Sequence, residues 1–479
     1  MALAAPRYRG GRRRPDIGEF GVNRSPLHEM DHRSLVHQQS DLDDFDRNGA
    51  ILMERGEGVR VWDLEGREYI EAMAGLWSAS LGFSETRLAD AAYQQMLKLP
   101  FYHTFFNKGH GPAVELADKL LSLSPVPMSR VLLQCSGSEA NDAAIKLVWY
   151  YNALRGKPEK RKIIGRVRGY HGNTIATASL SGQPHMYAGF GLPLPGFIHA
   201  DNPNYYRFGL EGETEEAFSD RMATNLEALI LTEGPDTIGA MFVEPVQAGG
   251  GAITPPKGYF DKIQPILKKY DILLSVDEVV CGFGRTGNFW GSQTYGIKPD
   301  MLACAKQLSA AYQPISALLI SETIHQALLE GSRQNGSFGH GYTYGGHPVP
   351  CAVALETLKI YEERDIVGHV RAMSPTFLAE LEACRAHPLV GDVRGVGLIA
   401  GVELVQDKAT KAPFAASVKA GPTVERACLE HGLIVRAIGD RIAFTPPLII
   451  DTGEIVEMVR RFRAGLDLAE QRISGAIAA

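Results

Sequence analysis

Ile272-Leu273-Leu274-Ser275-Val276 is a short apolar run that stops on two carboxylates, Asp277 and Glu278. A glycine-rich stretch, Gly282-Phe283-Gly284-Arg285-Thr286-Gly287, follows it. A run too short for a helix and polar only at its end reads as a strand buried on both faces. Outward from it the pattern recurs in Val131-Leu132-Leu133, Lys162-Ile163-Ile164, Ala240-Met241-Phe242-Val243 and Met301-Leu302-Ala303-Cys304. Between two of these runs Tyr259, Phe260, Ile263, Ile266, Leu267 and Tyr270 repeat at helical spacing. Strand–helix–strand alternation with near-continuous apolar strands predicts an α/β fold, a mostly parallel sheet with helices on both faces.

The 479 residues give room for two or three packed units at roughly 100–200 residues per domain. A net charge of −6 argues against a surface built for nucleic acid or anionic lipid. No apolar run approaches the ~18–20 residues of a membrane span. Six scattered cysteines (Cys135, Cys281, Cys304, Cys351, Cys384, Cys428) without a C-x-x-C pair read as buried thiols in a reducing compartment. Neither disulfides nor a metal site are expected. The first fifteen residues carry Arg7, Arg9, Arg12, Arg13 and Arg14 with no acid before Asp16. A cytoplasmic protein with a leader outside the fold is expected, with organelle targeting as the alternative.

The expected division is a disordered leader over 1–30, an N-terminal segment over 31–75 packing with the small domain, a large α/β domain over 76–347 and a smaller α+β domain over 348–479. Gly58–Tyr69 alternates around Glu65-Gly66 as a hairpin would. The acidic patch Asp41–Asp46 reads as solvated surface. Asp451 and Glu454 have capping-box spacing at the start of a last helix, with Ile455, Met458, Val459, Phe462 and Leu466 on its core face.

In open α/β sheets ligands bind outside the carboxyl ends of the strands, so the residues after each run matter most. After the first comes Ser136-Gly137-Ser138-Glu139, an anion cradle at a helix start that would serve equally as a plain cap. After the others come Gly169-Tyr170-His171-Gly172, Glu244-Pro245, Asp277-Glu278 and Ala305-Lys306. A poorly solvated Lys306 would have a lowered pKa and a nucleophilic amine. A carboxylate such as Asp277 could hold a pyridinium nitrogen protonated, and an aromatic such as Tyr170 could stack on the ring. Phosphate cradle, aromatic, carboxylate and lysine are what pyridoxal 5′-phosphate asks of a protein.

The stretch from Leu273 through Asp277-Glu278 to Gly287, with Lys306 beyond Pro299-Asp300, closely resembles the signature of class III pyridoxal-phosphate aminotransferases. Ser136–Asn141, Gly169–Gly172, Glu244-Pro245 and Tyr342-Thr343-Tyr344-Gly345-Gly346-His347-Pro348 are similar to the same family in order, over about residues 30–470. The resemblance implies fold type I, with a seven-stranded large-domain sheet, active as a homodimer or a tetramer of such dimers. It implies that Lys306 forms the Schiff base and shuttles the proton, that Asp277 pairs with the ring nitrogen, and that Val279 and Tyr170 pack below and above the ring. Ser136, Gly137 and Ser138 would bind the phosphate with Thr343 of the other subunit. His171 would lie beside the cofactor, and Glu244 near the ring and an arginine switch.

Ala74-Gly75-Leu76-Trp77 and Gly432–Asp440 resemble the amine:pyruvate branch, the ω-transaminases. That likeness implies Trp77, Phe105 and Phe106 as pocket walls and Arg436 as a mobile clamp for the carboxylate of pyruvate or alanine. Without it, Arg436 reads as an exposed salt bridge. One departure stands out: where the branch commonly reads His-Pro-Phe-Thr-Asp, this chain has His37-Gln38-Gln39-Ser40-Asp41, so Gln39 would make one side of the pocket more polar. The implied activity is ping-pong transfer of an amino group from a primary amine or ω-amino acid to pyruvate or a related 2-oxo acid. An aminomutase or a decarboxylase of the same fold is the near alternative. A dinucleotide-dependent oxidoreductase is the distant one, because Gly282–Gly287 fits G-x-G-x-x-G but Asn288-Phe289-Trp290-Gly291, and no helix, follows it.

Overall fold

The computed structural model describes residues 25–478. The expected leader lies outside the described residues over 1–24, and its last residues already enter a helix, Pro26–Ser34. Contacts group the chain into two units, one of residues up to Arg55 with Val61–Glu68, the other of Gly56–Arg60 with Tyr69–Ala479. In the first unit Asp41 accepts from the Asp43 and Asp44 amides and so starts helix Leu42–Asn48, giving the acidic patch a capping role.

The second unit is built on a seven-stranded sheet. In chain order its strands are β1 (Arg130–Gln134), β2 (Lys162–Arg166), β3 (Phe197–Ala200), β4 (Ile238–Val243), β5 (Leu273–Asp277), β6 (Met301–Cys304) and β7 (Ser316–Ile320). Their spatial order is β1-β7-β6-β5-β4-β2-β3. Strands β2 to β6 run parallel, and only β7 runs against both its neighbours. This is the mostly parallel sheet the sequence predicts.

Why the runs are continuously apolar is visible along β4. Ala240 and Phe242 pack on one side with Ala143, Ala144 and Val148 of α1 (Gly137–Leu154). Met241 and Val243 pack on the other with Phe260, Ile263 and Leu267 of α2 (Tyr259–Lys269). Alternate side chains thus meet a helix layer on each face. Each fully buried aliphatic side chain contributes about 1.5–3 kcal/mol.

Further along, Val390–Val396, Ile399–Leu404, Arg441–Phe444 and Arg436–Ala437 form an antiparallel sheet. The last helix, Thr452–Ala478, opens on the capping box expected of it: the Asp451 amide donates to Glu454 at 3.1 Å and the Glu454 amide to Asp451 at 2.8 Å. Ile455, Met458, Val459, Phe462 and Leu466 are fully buried. Ile70 and Glu71 pair in parallel with Leu433 and Ile434. No helix among the described residues is long and apolar enough to cross a membrane.

Candidate active site

Parallel strands deliver their carboxyl ends to one edge of the sheet, and a buried polar chain runs along that edge. β5 ends on Asp277, which is 5% exposed. Its Oδ2 accepts from Asn141 Nδ2 at 2.7 Å and from His171 Nδ1 at 3.0 Å, and its Oδ1 accepts from the Val279 amide at 3.0 Å. Because a carboxylate only accepts, the Nδ1 nitrogen of His171 carries its hydrogen. Burial alone would lower the His171 pKa, but the charge of Glu244 and the bond to Asp277 outweigh it and raise it. His171 Nε2 lies 3.6 Å from Glu244 Oε2. Glu244, just past β4, accepts from Arg166 Nη2 at 3.0 Å and from the Tyr170 amide at 2.9 Å. The arginine paired with Glu244 is Arg166, within the core. Arg166, Glu244, His171 and Asp277 neutralise one another in series, which is how four buried ionisable groups avoid the several kcal/mol each would cost alone.

Lys306 follows β6 across Ala305. Its backbone is left-handed, φ 49°, a conformation that costs a non-glycine residue about 1–2 kcal/mol. Such strain persists where the surroundings over-determine it, as they do at functional sites. The Leu308 amide bonds Ala305 O at 3.0 Å, and Gln307 Nε2 donates to Val280 O at 2.7 Å, pinning the turn. Burial pushes the Lys306 amine down to about 8; the charge of Asp277 raises it and that of Arg436 lowers it. A lysine so placed holds a substantial unprotonated share near neutrality.

The start of α1 lies at the same edge. Ser136 Oγ accepts from the Glu139 amide at 3.2 Å, while the Glu139 carboxylate turns back to the Cys135 amide at 2.7 Å, one residue earlier than a capping box would have it. A Cβ on Gly137 would come within 2.9 Å of Val279 Cγ2, so only glycine lets the helix start rest on Val279. Ser138 Oγ accepts from the Asn173 amide at 3.1 Å, and Ser316 Oγ donates to Ser136 O at 2.7 Å. An N-terminus of this kind, opening an 18-residue helix, suits a phosphate.

The remaining residues that the resemblance implies for the pocket differ widely in burial. Tyr170 is 36% exposed, and the charge of Arg436 bears on its phenol. The guanidinium of Arg436, half-buried on its short strand, has no hydrogen bond or ion pair among the described residues. Trp77 is buried among Met73, Val246, Ala248, Cys281 and Ile399, with its indole Nε1 unpartnered. Phe105 is half-buried, and a Cβ on Gly341 would lie 2.7 Å from its ring. Phe106 is 82% exposed and Thr343 is exposed. Gln39 belongs to the first unit, where it is exposed in a left-handed turn, φ 54°. Asn141 and Arg166 are the members of the buried chain that the site reading omitted. Asn141 is the fifth residue of α1, near Ala140, Ala143 and Ala144, and a lone amide on that alanine-rich stretch was the available signal.

The donor set fits pyridoxal 5′-phosphate. A strand-end lysine with a lowered pKa, a carboxylate held by three donors, an open helix N-terminus and an aliphatic floor at Val279 are all present. Comparison with known proteins agrees. The chain is 49% identical over 425 residues to γ-aminobutyrate transaminase 1, mitochondrial, of Oryza sativa subsp. indica, covering 88% of this chain and 82% of that one. It is 47% identical over 424 residues to γ-aminobutyrate transaminase 3, chloroplastic, of Solanum lycopersicum, covering 88% and 82%. The ω-transaminase of Pseudomonas jessenii in complex with PMP superposes with a TM-score of 0.92 at 51% identity, over 94% of this chain and 99% of that one. A transaminase solved with L-ala superposes at 0.87 with 51% identity, over 88% and 100%. The profile of the family Aminotransferase class-III matches residues 44–466, and the chain belongs to that family of pyridoxal-phosphate-dependent transaminases.

Proposed function

We propose that this transaminase moves an amino group from a primary amine or ω-amino acid to pyruvate or a related 2-oxo acid, in two half-reactions at one site. The observation that carries the reading is the pairing of a strained, poorly solvated Lys306 with an unpartnered Arg436 whose charge bears on it. When bound, pyridoxal phosphate withdraws electrons from the amino-bearing carbon and acidifies its proton. Lys306, with an amine near 8, is suited to take that proton at Nζ and return it. Asp277, fixed by His171, Asn141 and the Val279 amide, keeps negative charge where the ring nitrogen is to stay protonated. Ser136, Gly137 and Ser138 would hold the phosphate, with Thr343 supplied by a second copy in a homodimer. Val279 and Tyr170 would confine the ring from its two faces, the latter anchored through its amide to Glu244.

Substrate choice falls to the rim. A guanidinium with no internal partner can grip a carboxylate through two parallel bonds, then yield when the substrate is an uncharged amine. Trp77 and Phe105 offer apolar wall. The relatives named for γ-aminobutyrate support an ω-amino acid donor, and the neighbour named ω-transaminase together with the transaminase solved with L-ala supports pyruvate and alanine as the acceptor pair. Exposed Gln39 in place of an aromatic supports a donor less aromatic than an aryl-alkyl amine. The test is a donor panel of ω-amino acids, polyamines and aryl-alkyl amines against pyruvate, 2-oxoglutarate and glyoxylate. Pyruvate should be fastest with an ω-amino acid or simple primary amine; if 2-oxoglutarate outpaces pyruvate, the acceptor assignment is wrong.

We further propose that residues 76–347 and 348–479 act as cofactor and cap lobes, a division supported by their separate sheets. The proposed compartment is the cytoplasm, supported by six free cysteines. The mitochondrial and chloroplastic labels of the relatives make an organelle the alternative, which localisation of the full chain decides.

A further inference from the structure

Glu71 is a buried carboxyl with no ion-pair partner among the described residues, and only 6% of it reaches solvent. Burial raises its pKa to about 8, and its bonds to the Met73 and Gly75 amides oppose that rise. The Met73 bond is 2.8 Å long. Those amides belong to the turn that carries Trp77, and the turn is strained. Ala74 (φ 48°), Gly75 (φ 67°) and Trp77 (φ 66°) are all left-handed, a region that alanine and tryptophan rarely enter. Gly75 and Leu76 at its tip are exposed, while Trp77 is driven back into the interior. Within the turn the Trp77 amide bonds Met73 O at 2.7 Å, and the Ser78 and Ala79 amides bond Ala74 O at 3.0 and 2.9 Å; from outside, Thr445 Oγ1 bonds Met73 O at 3.4 Å, which leaves the Met73 and Gly75 amides to Glu71. Across the parallel pair Glu71 faces Ile434, so the strand that begins the Trp77 turn lies against the one that leads to Arg436.

We propose that Glu71 is a positioning residue: by accepting the Met73 and Gly75 amides it holds the strained turn that fixes Trp77 in the pocket wall, and so sets the steric limit on the amine substrate. The inference rests on the reading of Trp77 as wall, and the controls separate the two. Its test compares holoenzymes of wild type, Glu71→Gln, Glu71→Leu and Trp77→Phe. The readouts are kcat/KM for a bulky aryl-alkyl amine relative to a small alkyl amine, and the Trp77 contribution to tryptophan emission. Glu71→Gln keeps an oxygen acceptor and should leave the ratio within about threefold of wild type. Glu71→Leu removes it and should move the ratio by about tenfold or more, in the same direction as Trp77→Phe, and shift the emission. If Glu71→Leu does not fold, Glu71→Asp withdraws the oxygens by one methylene while keeping a carboxyl group and should move both readouts likewise. A ratio unchanged in Glu71→Leu or Glu71→Asp but moved in Trp77→Phe overturns the role of Glu71 alone. A ratio unmoved in Trp77→Phe overturns the wall assignment and this inference with it. Equal losses in Glu71→Gln and Glu71→Leu would show that the charge, and not the acceptor, matters, and would also overturn it.

Discussion

The floor and the rim of the site are made on opposite principles. On the floor the two carboxylates are held from several sides: Asp277 accepts three bonds, and Glu244 sits between Arg166, His171 and the Tyr170 amide. On the rim the groups are left open: the guanidinium of Arg436 has no partner among the described residues, and the indole nitrogen of Trp77 is buried without one. A reaction common to many substrates needs fixed charges, and a fixed charge must be held from several sides. Choice among substrates needs groups whose partner is the substrate itself. On the proposed reading, the multiply held carboxylates are the fixed charges, and the unpaired guanidinium is left for the substrate.

The comparison breaks most sharply at Lys306. Lys306→Ala should abolish the visible absorbance of the bound cofactor and cost at least about 10⁴-fold in turnover. Retained turnover would put the chemistry elsewhere. Next, Asp277→Ala should cost about 10²–10³-fold in kcat with little change in KM, and should also lower stability by about 1–3 kcal/mol because His171 and Asn141 lose their acceptor. A KM effect without a kcat effect would move Asp277 from floor to rim.

At the rim the signature should reverse. Arg436→Leu should raise KM for pyruvate by about 10–100-fold, the worth of a charge-assisted pair, while KM for an uncharged amine shifts by less than about threefold. Equal effects on both substrates would deny the rim its selectivity. The smallest effect concerns pH. Only the unprotonated amine can attack the cofactor aldehyde, so the lysine lowered to about 8 should make the rate of cofactor uptake by apoprotein climb about tenfold from pH 7 to 9 and then level off. A lysine left near its ordinary ~10.4 would still be climbing past pH 9.

Much of the floor was legible because it obeys a rule of position: the strands announce themselves as apolar runs, and whatever follows a strand stands at the edge. Asp277, Glu244 and Lys306 could be found that way. The pairing among them could not, since nothing local tells that Glu244 answers Arg166 at the end of another strand, or that Asn141 crosses from α1 to Asp277. The rim was legible only through family resemblance. Arg436 lies on a two-residue strand, and Trp77 follows a turn whose left-handed alanine and tryptophan no propensity favours. Glu71 was invisible for the same reason, because a glutamate at the end of an alternating hairpin reads as solvent-facing until its burial is seen.

The reversed strand β7 has a consequence for the lysine. Had it run with its neighbours, the chain would have needed a long helical crossover to return to the start of the sheet. Instead residues 305–315 fold back at once, so that Ala317 pairs with Cys304 and the backbone on either side of Lys306 is tied into the same sheet. So short a tether has little slack to relax the strained turn. On the role proposed for Lys306, the motion that proton transfer needs would fall to its side chain while its anchor stays still.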